Sequence, residues 1–97
     1  MANYVALIDW TEQGVSGFKD SVDRQEAASG QLEAVGVKFK EVYWTLGGHD
    51  LVAILEAPDD ESAAAGMLAV AAQGNIRSQT MRAFTRDEMR ALIERAG

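Results

Sequence analysis

Two stretches of this chain are apolar on both faces of the strands they would form, and no other feature restricts its folding as much. Tyr4-Val5-Ala6-Leu7-Ile8-Asp9-Trp10 puts Tyr4, Ala6, Ile8 and Trp10 on one alternation and Val5 and Leu7 on the other. Asp50 to Ala57 sets Val52 and Ile54 against Leu51, Ala53 and Leu55. Successive strand residues point to opposite sides of a sheet, so strands of this kind belong at the centre of a sheet covered on both sides.

The remaining segments fall around these two. Ser16 to about Val35 carries Phe18, Val22, Ala28, Leu32 and Val35 at helical spacing with charges between them, and reads as one amphipathic helix capped by Ser16 and ended by Gly36. Val37 to Leu46 reads as a second strand whose alternation changes parity: Val37 and Phe39 share one face, Val42, Trp44 and Leu46 the other. A bulge near Lys40-Glu41 and an irregular entry to a regular strand both account for the change. Gly47-Gly48 reads as the hairpin turn into the Asp50 strand, both residues tolerating positive φ. After Pro58, Asp59 caps an Ala-rich helix to about Gln73, closed by Gly74. Asn75 to Phe84 is the most polar strand, suited to an edge or a wet cavity. Thr85 and Glu88 have capping-box spacing ahead of a last helix, Arg86 to Ala96, with Met89, Leu92, Ile93 and Ala96 on one side.

The order βαββαβ plus a C-terminal helix predicts an α+β, ferredoxin-like domain spanning 1–97: a four-stranded antiparallel sheet, order 4-1-3-2, with both long helices on one face. The other face then carries half the side chains of two apolar strands. A patch of that kind exceeds what soluble monomers usually expose. The expectation is a second copy packed sheet to sheet, forming a dimeric α+β barrel; the last helix is too short to cover the whole face instead.

Composition narrows the chemistry. The chain has no Cys, which removes disulfides, thiolate metal sites and cysteine nucleophiles, and its lone His cannot supply the His pairs of most catalytic zinc sites. A net charge of −6 disfavours nucleic acid and anionic membranes as partners. No phosphate-binding glycine motif is present. Neither a metal nor a cofactor is expected, and the absence of a leader-like N-terminus or a membrane-length apolar run points to the cytoplasm.

The segment Tyr43-Trp44-Thr45-Leu46-Gly47-Gly48-His49-Asp50-Leu51-Val52-Ala53-Ile54, followed by Glu56-Ala57-Pro58-Asp59-Asp60, resembles the GYD-domain family, with Gly48-His49-Asp50 in place of the Gly-Tyr-Asp triplet. Trp10-Thr11-Glu12-Gln13-Gly14 and Gly74-Asn75-Ile76-Arg77 extend the likeness over nearly the whole chain. The resemblance implies a dimeric α+β barrel, usually bacterial, without an established biochemical activity.

Candidate site residues are few. His49 is the one side chain of a type that titrates near neutrality when unperturbed, and reads either as a proton shuttle, haem ligand or metal ligand, or as an exposed turn residue or one hydrogen-bonded to a partner chain. Asp9, a carboxylate in a central strand, reads as a general base or as an ion-pair partner of Arg82 or Arg77. Tyr43, Trp44 and Trp10 read as the walls of an aromatic pocket for a small apolar ligand, or as core and interface anchors. Two functions follow: a homo-oligomeric ligand-binding or regulatory module without catalysis, and a small cofactor-free or haem-assisted oxygenase-like enzyme acting on an apolar aromatic substrate in the barrel cleft.

Overall fold

The computed structural model describes residues 1–97. Strands β1 (Ala2–Trp10), β2 (Lys38–Trp44), β3 (Leu51–Ala57) and β4 (Ile76–Ala83) form one antiparallel sheet in the order β2-β3-β1-β4. This is the expected 4-1-3-2 order, and the two strands that are apolar on both faces are the central pair. Register sets the faces. Tyr4 lies opposite Leu55, Ala6 opposite Ala53 and Ile8 opposite Leu51, and all six are buried under the helices with Leu32, Val37, Ala63 and Met67. The parity change in β2 is a bulge: register slips between Phe39 and Glu41, which lets Phe39, Val42 and Trp44 all align with buried β3 residues.

The segment after β1 corrects the single long helix. Thr11, not Ser16, is the first cap: its hydroxyl accepts the Gly14 N–H at 3.1 Å and donates to the Gly74 carbonyl at 2.5 Å. A short helix α1 (Glu12–Ser16) ends at Gly17, a 3₁₀ turn covers Phe18–Asp20, and α2 runs Ser21–Glu33. The Arg24 guanidinium donates to the freed carbonyls of Gly17 at 2.8 Å and Gly14 at 3.0 Å, which stabilises the break. The break also resets the helical phase. Ser21, Ala28 and Leu32 face the core, while Phe18, Val22 and Val35 are exposed. Gly36, at φ 81°, ends the helix with the Val37 N–H returning to the Leu32 carbonyl at 2.9 Å. The β2–β3 connection is likewise looser than a tight two-glycine turn: Gly47 takes φ 112°, whereas Gly48 has no positive φ.

Helix α3 (Asp60–Ala71) packs on α2 and the sheet through Ala63, Gly66 and Met67. A Cβ on Gly66 would sit 2.6 Å from a Leu32 methyl, so the two helices touch here at the closest approach their side chains permit. The last helix, α4 (Arg86–Ala96), has the expected capping box between Thr85 and Glu88, yet none of its residues is buried. It leaves the open sheet face uncovered. No helix is long and apolar enough to cross a membrane.

The acidic caps give stability a definite pH dependence. The Ser62 N–H, 2.8 Å from Asp59 Oδ1, holds that carboxyl below its ordinary 3.8, and the Thr85 N–H does the same to Glu88, ordinarily 4.5. A folded-state value below the unfolded one means stabilisation that is complete above the unfolded value and disappears as pH falls through the folded one. Thermal melts should therefore move to lower temperature as pH drops below 4.5. The double variant Asp59→Asn, Glu88→Gln should show a shallower acid slope, because its caps are uncharged throughout. An unchanged slope would show that these caps do not govern the acid limb.

Candidate functional site

The open sheet face ends in a polar cluster built from β1 and the loop after β2. Asp9 extends from this face, with Arg77 of β4 opposite it in register. The loop Thr45–Asp50 is tied to itself by the Thr45 N–H donating to the Asp50 carbonyl at 2.8 Å and the Thr45 hydroxyl donating to the His49 carbonyl at 2.5 Å. Asp50 is tied to β1: its N–H donates to the Ile8 carbonyl at 2.9 Å, and its carboxylate accepts the Trp10 N–H at 2.9 Å. With the loop so held, His49 Nδ1 lies 3.2 and 3.3 Å from the two Asp9 oxygens. Both side chains are about one-third exposed, at 34% each.

A carboxylate at Nδ1 fixes the imidazole tautomer, placing the proton there and leaving Nε2 as an acceptor while the ring is neutral. That arrangement can hold or pass a proton. No group of three or more His, Cys, Asp or Glu side chains is placed to hold a metal ion.

The structure joins two of the residues singled out in the sequence and separates the others. His49 meets Asp9 and takes the place expected for an arginine. Arg77 faces Asp9 in register without an ion pair, and Arg82 lies opposite Tyr4, at the far end of β1 on the other face. Arg82 there stacks over Phe84 at 4.5 Å and Tyr4 at 5.8 Å and reaches Glu88 at 3.8 Å. Tyr4 donates its hydroxyl to Asp60 at 2.5 Å, and burial, reinforced by that carboxylate, pushes its phenol up to about 12. Tyr43 stands on the open face opposite Val52, exposed. Trp44 turns to the helix side, where its indole N–H donates to Ser21 at 2.9 Å.

Trp10 lines a different feature, a cleft between the helix layer and the sheet. Helices α2 and α3 touch at Leu32 and Gly66, and the cleft lies toward their other ends, beneath Ser21 and Gln73. Its floor includes Trp10, Phe39, Val42 and Ile76, all partly buried beside the main core. The cleft is partly open, with a volume of about 60 Å³. Ser21, Arg24, Gln25, Gln73 and Asn75 supply its polar lining. Tyr43, Trp44 and His49 line neither this cleft nor the shallower groove of about 230 Å³ beside Tyr4 and Arg82.

Ser21 and Arg24 escaped the sequence reading. Each lies in the segment taken as continuous helix surface, and only the break at Gly17 turns both inward. The one available signal was Thr11-Glu12-Gln13-Gly14, which has the form of a helix cap as well as of a strand end.

Comparison with known proteins agrees with this architecture. The family model of the GYD domain matches residues 4–93. A Thermus thermophilus protein described as a glutamine synthetase and cystathionine beta-lyase binding protein is 29% identical over 85 residues, 87% of this chain and 90% of that protein. A crystal structure from Thermus thermophilus superposes with a TM-score of 0.56 at 22% identity, covering 88% of this chain and 95% of the other, a likeness of fold.

Proposed function

The chain belongs to the GYD-domain family, and on that premise we propose that it acts as a homo-oligomeric binding or regulatory module without catalysis of its own, working in the cytoplasm. The carrying observation is the uncovered sheet face. Val5 aligns with Ile54 and Met81, and Leu7 with Val52 and Gln79, so four central aliphatic side chains form a strip flanked by Met81 and Tyr43. The strip is bounded by Asp9 and His49 at one end and by Asn3 and Glu56 at the other. Burying an apolar strip of this kind against its own copy is favourable at about 25 cal/mol for each Å² removed from water, and a two-fold contact closes the assembly.

The polar ends would set the register of such a pair and the aliphatic centre would supply its affinity. Pairing through the sheet leaves the helix layer free to meet other molecules. Likeness to a relative described as binding two enzymes supports extending the reading to protein partners. Neither nucleic acid nor membrane enters it.

Light scattering at micromolar concentration should give a mass of at least twice the 10.5 kDa of one chain. A mass of 10.5 kDa would overturn the sheet pairing.

One contact favours a second reading, an oxygenase-like enzyme: His49 Nδ1 at 3.2 Å from Asp9 is the arrangement a proton-transfer pair needs. That reading requires turnover of an apolar aromatic substrate by the wild type and its loss in His49→Ala.

A further inference from the structure

We infer that the cleft between the helix layer and the sheet is a binding site for a small carboxylic acid with a slender apolar tail. The inference rests on reading the chain as a binding module and names the chemistry of what it would hold.

The charge of the cleft is the first ground. The chain carries fifteen Asp and Glu against nine Lys and Arg, yet no carboxylate lines this cleft, and its one charged lining residue is Arg24. In a chain of net charge −6, this is a local reversal of sign, set over an apolar floor of Trp10, Phe39, Val42 and Ile76. An apolar tail suits the floor, and an anionic head suits Arg24, with the neutral amides of Gln25, Gln73 and Asn75 on the same lining.

Arg24 is also held in place before any ligand arrives. Its two terminal nitrogens donate to the Gly17 and Gly14 carbonyls at 2.8 and 3.0 Å. A guanidinium has five N–H groups, so three are not used by these bonds. A fixed cation with spare donors binds a carboxylate at less entropic cost than a free side chain does.

Size limits the tail. The cleft is partly open, and its 60 Å³ is room for roughly four water-sized centres, against the ~150 Å³ of an enclosed cavity that takes a benzene ring. Only the end of a short unbranched chain lies within this space, the rest of it and its carboxylate extending along the open mouth.

Hexanoate is the direct probe, with hexanamide and hexylamine as its neutral and cationic counterparts. In ¹H–¹⁵N spectra of the full-length protein, hexanoate should shift the Trp10 indole signal saturably, with Trp44→Phe giving the assignment. Hexylamine should bind more weakly by about tenfold or more, as expected when one charge-assisted hydrogen bond is lost. Arg24→Gln should bring hexanoate down to the affinity of hexanamide. Val70→Phe, at a half-buried lining position of α3, fills the space without touching Arg24 and should abolish the shift. A hexanoate response without saturation, equal binding of hexylamine, or an unchanged response in Val70→Phe would each overturn the site. The mass of the protein, read separately by light scattering, reports on the sheet pairing whatever hexanoate does, so the two failures are distinguishable.

Discussion

Gly14→Ala should destabilise the protein by about 3 kcal/mol, at or above the upper end of the usual overpacking range. The added Cβ would stand 2.0 Å from the Asn75 carbonyl oxygen, 3.0 Å from its carbon and 3.3 Å from its Cα. The obstacle is main chain, and no rotamer change can move it aside. The same Asn75 oxygen accepts the Thr11 N–H at 3.1 Å, so retreat of the turn after α3 would stretch the bond that ties it to the end of β1. For a domain of this size, about 3 kcal/mol corresponds to a thermal midpoint lower by roughly 12–24 °C. Gly30→Ala provides the opposite case. Nothing lies within 4 Å of the point its Cβ would occupy on the exposed side of α2, and a helix-interior Ala is worth up to about 1 kcal/mol over Gly. Paired thermal melts should move in opposite directions. A neutral Gly14→Ala would mean that the approach of α1 to the Asn75 turn does not constrain the fold.

Ile54→Lys should separate the copies while leaving each folded. In a single chain Ile54 is half-buried on the open face, where a lysine stem lies along the sheet and its ammonium stays in water at modest cost. Between two packed sheets the same ammonium would be buried without a partner, at about 3 kcal/mol or more. Two-fold symmetry repeats that cost in the second copy, giving about 6 kcal/mol, or roughly four orders of magnitude in the dissociation constant. Scattering should then give 10.5 kDa at concentrations where the wild type gives at least twice that, with far-UV circular dichroism unchanged. Leu68→Lys, at a position 71% exposed on the helix layer, should leave the mass alone. If both variants keep the wild-type mass, the sheet face is not the contact.

The central strands were legible because their constraint is local: apolar residues on both parities identify a doubly covered strand before any partner is known. The parity change in β2 was legible for the same reason, but a bulge and an irregular entry both accounted for it until the register slip between Phe39 and Glu41 decided for the bulge. The helix break at Gly17 was less so. Phe18 and Val22 sit at spacings that fit a continuous helix, and the feature that stabilises the break, Arg24 reaching two carbonyls, exists only after folding. The site residues were harder still. Asp9 and His49 are 40 positions apart, and nothing in either segment shows that the Thr45–Asp50 loop brings them together. Arginine was the reasonable partner on charge alone, but register sends Arg82 to the opposite face beside Tyr4, and Arg77, which does lie opposite Asp9, makes no ion pair with it. The cleft was legible only in part: Trp10 was named, but the approach of two helices at Gly66 and Leu32 that frames the opening depends on packing between distant segments.

The place of β1 between β3 and β4 has a consequence for synthesis. Its second neighbour, Ile76–Ala83, lies near the other end of the chain. A ribosome adding about 5–20 residues each second therefore leaves one edge of β1 unpaired until Ile76–Ala83 has been made. The β2–β3 hairpin can zip early from nearby residues and β1 can join it, whereas the β1–β4 pairing comes late. A nascent chain stalled before Ile76 would present an apolar strand with a bare edge, the form most in need of a chaperone.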